Sequence, residues 1–303
     1  MTGMLARRAV LGLGAALALP GCALRPTLEG APPVALPDTR QVDIAAGGHT
    51  HRIMLAVPPA PPPAQGWPVL YVLDGNLLFA PTAQLMRNRF ARGPGVPTQG
   101  AVVVGLGYAG AQVLDLDART WDYTPPAPGP ATDERGRREG GADAFLDFLD
   151  ATVRPLVERA ARVDAARQTL FGHSYGGLCV LHALFTRPGA FQNYVAASPS
   201  VWWRGGFILQ EQARFLAERR ADAPALRLWV SQGELEAQMP ADPARAAIAR
   251  ERRGTDRLHT LLDGLRGAPA LDLRFTTFPG ADHGGAMLPA AQQALALAIG
   301  GRA

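Results

Sequence analysis

The segment Thr169-Leu170-Phe171-Gly172-His173-Ser174-Tyr175-Gly176-Gly177 decides the fold. It has the pattern of an apolar strand that ends in a tight turn around one serine, followed at once by an amphipathic helix. In the pattern G-x-S-x-G, the turn strains the backbone of the serine, so the residues flanking it must be small. The segment therefore predicts a nucleophile elbow, a strand-to-helix turn that projects the Ser174 hydroxyl from the top of a sheet.

Short apolar runs on both sides of the elbow predict further strands that are covered on both faces, as in parallel sheets. These runs begin at Pro68, Ala101, Thr169, Tyr194, Leu226 and Leu271. Helical periodicity separates them over 144–160, 175–187, 207–220 and 286–299. A hairpin around Gly47-Gly48 precedes them. The alternation predicts the α/β class, and with the elbow the α/β-hydrolase fold: a doubly wound, mostly parallel sheet with an antiparallel N-terminal hairpin.

Two polar segments interrupt this alternation. Residues 108–141 are long and rich in proline and glycine, which is typical of a functional loop or a lid. Residues 237–256 are rich in alanine and arginine, and we interpret them as an insertion that contains a short exposed helix.

A serine hydroxyl becomes a strong nucleophile only when a base takes its proton. Of the six histidines, His283 follows the last predicted strand and precedes the last helix, which is where this fold carries its base. The acid that orients the base lies between the serine and the histidine in the chain. Glu236 is preferred, Glu234 is the alternative, and Asp242 or the absence of a functional acid stays open.

The tetrahedral intermediate of acyl transfer needs N–H donors that are in place before its negative charge forms. The amide of Tyr175, directly after the nucleophile, is one predicted donor. The second is expected in the loop after the first buried strand, Leu73-Asp74-Gly75-Asn76. We predict the amide of Asn76 as that donor, with Gly75 as the alternative.

Composition excludes several other chemistries. All 30 basic side chains are arginine, so a Schiff-base lysine, a Ser-Lys dyad and a P-loop lysine are ruled out. The arginines are scattered, which disfavours a nucleic-acid partner. The two cysteines, Cys22 and Cys179, have neither disulfide nor zinc spacing. The expected reaction needs no metal and no cofactor.

The N-terminus predicts export from the cytoplasm. Residues 1–22 combine Arg7-Arg8 with a short apolar stretch, as in a twin-arginine signal, and end in Leu19-Pro20-Gly21-Cys22, which looks like a lipoprotein cleavage box. We expect the protein either to be anchored to a membrane by a lipid on Cys22 or to be periplasmic. Residues 23–39 are a proline-rich tether, and residues 40–303 are one α/β-hydrolase domain.

Taken together, the motifs resemble the esterase branch of the α/β hydrolases, in particular the exported trilactone siderophore esterases that open enterobactin-type macrocycles. The matching stretches are 71–76, 119–125, 172–177, 198–203, 233–236 and 280–284. The resemblance implies hydrolysis of a small-molecule ester through an acyl-enzyme. It also implies that Arg119, Trp202 and Trp203 lie near the mouth and hold an aromatic, anionic substrate by charge and stacking.

Two other functions stay open at this point. One is a general carboxylesterase of the same branch, acting on acetyl, feruloyl or formyl esters. The other is an exported binding protein that kept the fold without catalysis. Trp121 stands where many relatives carry a second arginine, which disfavours a very highly charged substrate.

Overall fold

The computed structural model describes residues 28–92, 99–111, 113–239, 241–252 and 254–300. Two units are distinguished, Met1–Ala35 and Leu36–Ala303, and the strands and helices named below belong to the second. The predicted export signal and its Cys22 lie outside the described residues. Within the described ranges, no helix is both long and apolar enough to cross a membrane.

The strands of the described residues form one sheet. In chain order they are β1 (Thr39–Ala46), β2 (His49–Ala56), β3 (Trp67–Leu73), β4 (Val102–Tyr108), β5 (Val163–His173), β6 (Asn193–Ala197), β7 (Leu226–Gly233) and β8 (Leu271–Phe278). Their spatial order is β1-β2-β4-β3-β5-β6-β7-β8. Strand β2 pairs antiparallel with both β1 and β4, and every other pair is parallel. The predicted mostly parallel sheet with an antiparallel N-terminal hairpin is confirmed.

Helices cover both faces of this sheet. In chain order they are α1 (Gly75–Asn88), α2 (Leu116–Tyr123), α3 (Ala142–Phe148), α4 (Arg154–Ala160), α5 (Tyr175–Thr186), α6 (Ile208–Glu218), α7 (Pro243–Arg252), α8 (Gly254–Leu265) and α9 (Met287–Ala298). Buried side chains of α1 and α9 share one apolar cluster with the sheet, and those of α3, α4, α5, α6 and α8 share the other. The sheet is therefore doubly wound.

Two predicted elements differ in the structure. The expected continuous helix over 144–160 is divided by a wide π turn at Leu149–Val153. Pro155, in the first turn of α4, has no N–H for the backbone bond that an unbroken helix requires there. The sequence predicts that β8 is covered on both faces, but none of its residues is buried, because it is an edge strand and carries Asp272 and Arg274.

The segment 108–141 is not wholly a loop, because it contains helix α2. Asp115 caps this helix, and its carboxylate accepts the Ala118 N–H at 2.9 Å. Arg119, Thr120, Asp122 and Tyr123 of α2 are all buried. The helix therefore turns polar side chains toward the interior of the protein, close to the C-terminal ends of β3 and β4.

Candidate active site

Ser174 occupies the predicted elbow between β5 and α5. Its backbone has φ 59° and ψ −117°, a conformation that residues with side chains rarely adopt. The neighbouring glycines leave no room for a side chain. A Cβ on Gly172 would lie 2.3 Å from the Gly176 carbonyl oxygen, and one on Gly177 would lie 2.9 Å from that of Ala197. The sequence folds into a strained turn here because these positions are glycine.

His283 and Glu236 form a hydrogen-bonded pair. The His283 Nδ1–H donates to Glu236 Oε2 at 2.7 Å, which leaves Nε2 as the proton acceptor. Glu236 Oε1 also accepts the Ser198 hydroxyl at 2.6 Å and the Gly233 N–H at 2.7 Å. Of the acids left open by the sequence, the structure pairs Glu236 with the histidine. Glu234 instead accepts the Gly280 N–H at 2.7 Å.

The hydrogen bonds explain why Glu236 is an anion. Burial raises the pKa of this carboxyl, but the bonds donated by His283, Ser198 and Gly233 outweigh burial and lower the pKa below its ordinary value. A charged carboxylate holds the imidazole in one tautomer and stabilises the imidazolium that forms during acyl transfer. The pair therefore has the electrostatics that a catalytic base needs.

Ser174 and His283 line the same cavity, which has a volume of about 220 Å³. The Ser174 hydroxyl lies 3.4 Å from the Ser200 hydroxyl. Within the described part of the chain, it forms no hydrogen bond with the His283 imidazole. Such catalytic bonds are often long in enzymes without substrate and tighten when substrate is bound. The nucleophile and the base therefore face one shared cleft.

Two helix N-termini lie beside the Ser174 elbow, since a Cβ on Gly176 of α5 would be 3.6 Å from Asp74 Oδ2 at the start of α1. Asp74 caps α1, so Gly75 and Asn76 are its first two residues, and Tyr175 is the first residue of α5. Amides in the first turn of a helix have no acceptor within the helix and lie at the positive end of its dipole. Strands β3 and β5 are neighbours in the sheet, so the helices that follow them begin side by side. The amides of Tyr175 and of Asn76 or Gly75 are suited to an oxyanion.

The Asn76 side chain is used to hold the end of β4. Its Nδ2 donates to the carbonyls of Tyr108 at 3.0 Å and Ala111 at 2.7 Å, and its Oδ1 accepts the Tyr108 N–H at 2.7 Å. These bonds fix the first turn of α1 against the sheet. Asn76 therefore has only its backbone N–H to offer to a substrate.

Of the three predicted substrate residues, Trp202 and Trp203 line a cavity, whereas Arg119 does not line the cavities of this site. Trp202 lines the cavity of Ser174 and also a second cavity of about 830 Å³. Trp203 borders that second cavity but is 3% exposed, and its indole N–H donates to Glu139 at 2.7 Å. The expectation that Arg119 meets the substrate at the mouth is wrong, because its guanidinium is buried and forms two hydrogen bonds with the Asp74 carboxylate.

Known proteins share this arrangement of elements and motifs. A family model described as "Putative esterase" matches residues 45–275. The chain belongs to this esterase family. The ferri-bacillibactin esterase BesA of Bacillus subtilis is 36% identical over 204 residues, which are 66% of this chain and 70% of that protein. The siderophore enterobactin esterase of Emericella nidulans is 36% identical over 239 residues, which are 73% of this chain and 78% of that protein.

A solved structure extends the similarity to the whole fold. The siderophore hydrolase EstB from Aspergillus nidulans has a TM-score of 0.77 to this esterase at 31% sequence identity. The match covers 88% of this chain and 97% of the other. The resemblance inferred from the motifs and the α/β-hydrolase fold are both confirmed.

Two residues that support the base were not identified from the sequence. His173 Nε2–H donates to the His283 carbonyl at 2.8 Å, and the two rings lie 4.5 Å apart. Ser198, with φ 42°, turns its hydroxyl to Glu236. Burial and the nearby His283 lower the pKa of His173 to about 4, so His173 adds no positive charge beside the base at neutral pH. The sequence offered one signal for them: His173 ends the buried strand β5, and Ser198 directly follows the buried strand β6.

The esterase is expected to lose activity in acid. A protonated imidazole cannot accept the Ser174 proton, so kcat/KM falls as pH falls. Glu236 and His173 do not titrate near neutrality, because the pKa of each is lowered. The measurement is kcat/KM for p-nitrophenyl acetate from pH 8 to 5, and the expected slope is about tenfold per pH unit. A flat profile would contradict this assignment.

Proposed function

We propose that this protein is a serine esterase that hydrolyses the ester bonds of a trilactone catecholate siderophore through an acyl-enzyme. The observation that carries the proposal is the Glu236–His283 pair in the cavity of the Ser174 elbow, with a larger aromatic and arginine-lined cavity across Trp202. The relatives named above, which are siderophore esterases, support the choice of substrate.

The chemistry follows from the positions of the side chains. Ser174 Oγ attacks the ester carbonyl carbon while His283 Nε2 takes the hydroxyl proton. The tetrahedral oxyanion is held by the amides of Tyr175 and Asn76. Collapse breaks the ester C–O bond, and the imidazolium protonates the departing alkoxide. Water then attacks the acyl-enzyme with the same histidine as base, which releases the carboxylic acid and restores Ser174.

The two cavities fit a substrate with several arms. The cavity at Ser174, about 220 Å³, has room for one ester group and its neighbouring atoms. The larger cavity, about 830 Å³, has the size of pockets that hold drug-sized ligands. Trp202 lines both, so a substrate that reacts at Ser174 can extend past its ring into the larger cavity.

The lining of the larger cavity suits aromatic anions. Its arginines and aromatic rings are Arg135, Arg137, Arg204, Arg257, Tyr175, Trp202 and Trp203, and it is also lined by three acidic residues, Asp133, Glu134 and Glu139, so arginine is in excess by one. Arg137 and Arg204 are held in place by Asp133 and Glu139, so their guanidinium planes are already oriented. Guanidinium groups and indole rings bind aromatic ligands by stacking and negative oxygens by charge. A catecholate arm combines both features.

The substrate proposal is tested by comparing kcat/KM for a tris-catecholate trilactone with kcat/KM for p-nitrophenyl acetate. The trilactone is expected to be the better substrate. Trp202→Ala is expected to raise the KM of the trilactone about tenfold, the size of one desolvated stacking contact. Because Trp202 also lines the smaller cavity, the same variant can change p-nitrophenyl acetate hydrolysis too, and the test is the ratio. The KM of the trilactone should rise several-fold more than the KM of p-nitrophenyl acetate, which is too small to occupy the larger cavity at the same time.

Trp121→Ala is the matched control, because Trp121 is also half-buried and does not line either cavity. It should change neither substrate's KM. If the trilactone is hydrolysed no better than the simple ester, the siderophore substrate is refuted and a general carboxylesterase is supported. Absence of both activities in wild-type protein would refute the esterase itself.

A further inference from the structure

The oxyanion loop begins with a residue in an unfavourable conformation. Asp74, the cap of α1, has φ 54° and ψ 44° in the left-handed region, which costs energy for residues other than glycine. Asp74 lies beside the elbow, because a Cβ on Gly176 would be 3.6 Å from its Oδ2. The next two residues, Gly75 and Asn76, carry the amides predicted as oxyanion donors. A change in the Asp74 backbone therefore moves these amides. The loop needs an interaction that keeps Asp74 in place.

Helix α2 supplies that interaction. Arg119 Nε donates to Asp74 Oδ1 at 2.8 Å, and its Nη2 donates to Oδ2 at 2.9 Å. The Asp74 N–H donates to the Tyr123 hydroxyl at 3.1 Å. All three residues are at most 8% exposed. Both the side chain and the backbone of Asp74 are thus held by one helix, and the paired bonds fix the angle of the carboxylate as well as its position.

The same guanidinium contacts the other half of the oxyanion site. Arg119 Cζ lies 5.6 Å from the centroid of the Tyr175 ring, and Tyr175 provides the second predicted amide. Burial works to lower the pKa of Arg119, but the charge and hydrogen bonds of Asp74 raise it above its ordinary value. Arg119 is therefore a fixed cation that joins the start of α1 to the start of α5.

We propose that Arg119 is a positioning residue for the oxyanion hole, which sets the distance between the amides that follow Asp74 and the amide of Tyr175. It acts through those two residues and does not touch the substrate. The proposal gives the segment 108–141 a part in catalysis, because that segment brings α2 against the oxyanion loops. It rests on the esterase mechanism and is independent of which ester is hydrolysed.

Arg119→Lys tests the proposal with the charge retained. Lysine keeps a cation beside the Asp74 carboxylate, but it is a point charge that cannot form the paired planar bonds. We expect kcat for p-nitrophenyl acetate to fall by up to about 10²-fold with KM within about twofold, since a displaced oxyanion donor affects the transition state alone. The pH midpoint of kcat/KM should stay unchanged, because His283 and Glu236 are not altered.

A transition-state analogue separates positioning from general damage. A boronic acid forms a tetrahedral anionic adduct with Ser174, and its oxygen occupies the oxyanion site. Its inhibition constant should rise in Arg119→Lys by the same factor as kcat/KM falls. A KM increase with unchanged kcat would mean that Arg119 binds substrate, and unchanged boronate affinity would mean that it does not set the oxyanion hole. Either result overturns the proposal.

Two further variants complete the test. Arg52→Lys is the matched control, because Arg52 forms the same paired bonds with Asp43, at 2.8 Å each, on the exposed β1–β2 hairpin, and it should leave kcat unchanged. Should Arg119→Lys fail to fold, Arg119→Gln combined with Asp74→Asn removes both charges together, and asparagine tolerates the left-handed backbone. That double variant is expected to fold and to show the same loss of kcat and of boronate affinity. Full activity in it would overturn the proposal.

Discussion

Replacing Ser174 by alanine is expected to reduce ester hydrolysis by about 10⁴-fold or more, while the protein stays folded. The variant removes the atom that forms the acyl-enzyme, and neither His283 nor water at the same position can replace it. The fold should tolerate the change, because the bond of the Ser174 hydroxyl to the Ser200 hydroxyl is long, at 3.4 Å. The measurement is kcat/KM for p-nitrophenyl acetate, with thermal unfolding of the same sample to verify folding.

Ser200→Ala is the matched control for this experiment. The Ser200 hydroxyl lies 3.4 Å from that of Ser174, so Ser200 is the neighbouring serine against which the assignment of the nucleophile must be checked, although it is only 1% exposed. Diisopropyl fluorophosphate should label wild-type protein and Ser200→Ala at Ser174, and it should leave Ser174→Ala unlabelled. Labelling of Ser174→Ala at Ser200, or substantial turnover by that variant, would refute Ser174 as the nucleophile.

Local sequence patterns were sufficient to predict the sheet, the nucleophile elbow and the position of the catalytic histidine. The strands β3 to β7 are apolar runs because they are covered on both faces, and that composition is visible without coordinates. The elbow was visible because only glycine fits at Gly172 and Gly177. The position of His283 followed from chain order, since this fold places the base after its last strand. Each of these signals is contained in a few consecutive residues.

Contacts between distant segments could not be predicted in this way. Arg119 and Asp74 are 45 residues apart, and nothing in either neighbourhood shows that a buried carboxylate pairs with the guanidinium. An exposed arginine in a polar segment is the ordinary case, and the role of Arg119 in substrate binding was expected only from the resemblance to siderophore esterases. Arg119 is buried because it belongs to helix α2. That helix has only eight residues and lies in a proline- and glycine-rich segment, so its periodicity was too short to be recognised.

The choice between Glu234 and Glu236 was also beyond the sequence. Both belong to one short turn, Glu234–Ala237, directly after β7, and both are the right chemical type. The direction of each side chain is fixed by donors elsewhere: Ser198 and Gly233 for Glu236, and Gly280 for Glu234. Ser198 follows a different strand, so the selection depends on how β6 and β7 lie in the sheet.

Glu236→Gln is expected to lower kcat/KM by about 10³- to 10⁴-fold, with little change in stability. Glu236 Oε1 accepts hydrogen bonds from Ser198 and Gly233, and an amide NH₂ cannot accept them. The carbonyl oxygen of the glutamine must therefore stay on that side, and its NH₂ must face His283 Nδ1. The imidazole then accepts at Nδ1 and carries its proton on Nε2, so it cannot take the proton of Ser174.

Glu234→Gln and Glu236→Ala distinguish this tautomer effect from the loss of negative charge. Glu234→Gln removes a charge in the same short turn and retains an oxygen for the Gly280 N–H, so activity should stay within about twofold, as for an exposed charge. Glu236→Ala removes the same charge as Glu236→Gln, but it leaves the imidazole free to adopt either tautomer. We therefore expect the alanine variant to be more active than the glutamine variant when kcat/KM is measured at neutral pH. Equal losses in the two variants would mean that Glu236 acts by its charge alone, and wild-type activity in Glu236→Gln would remove Glu236 from the mechanism.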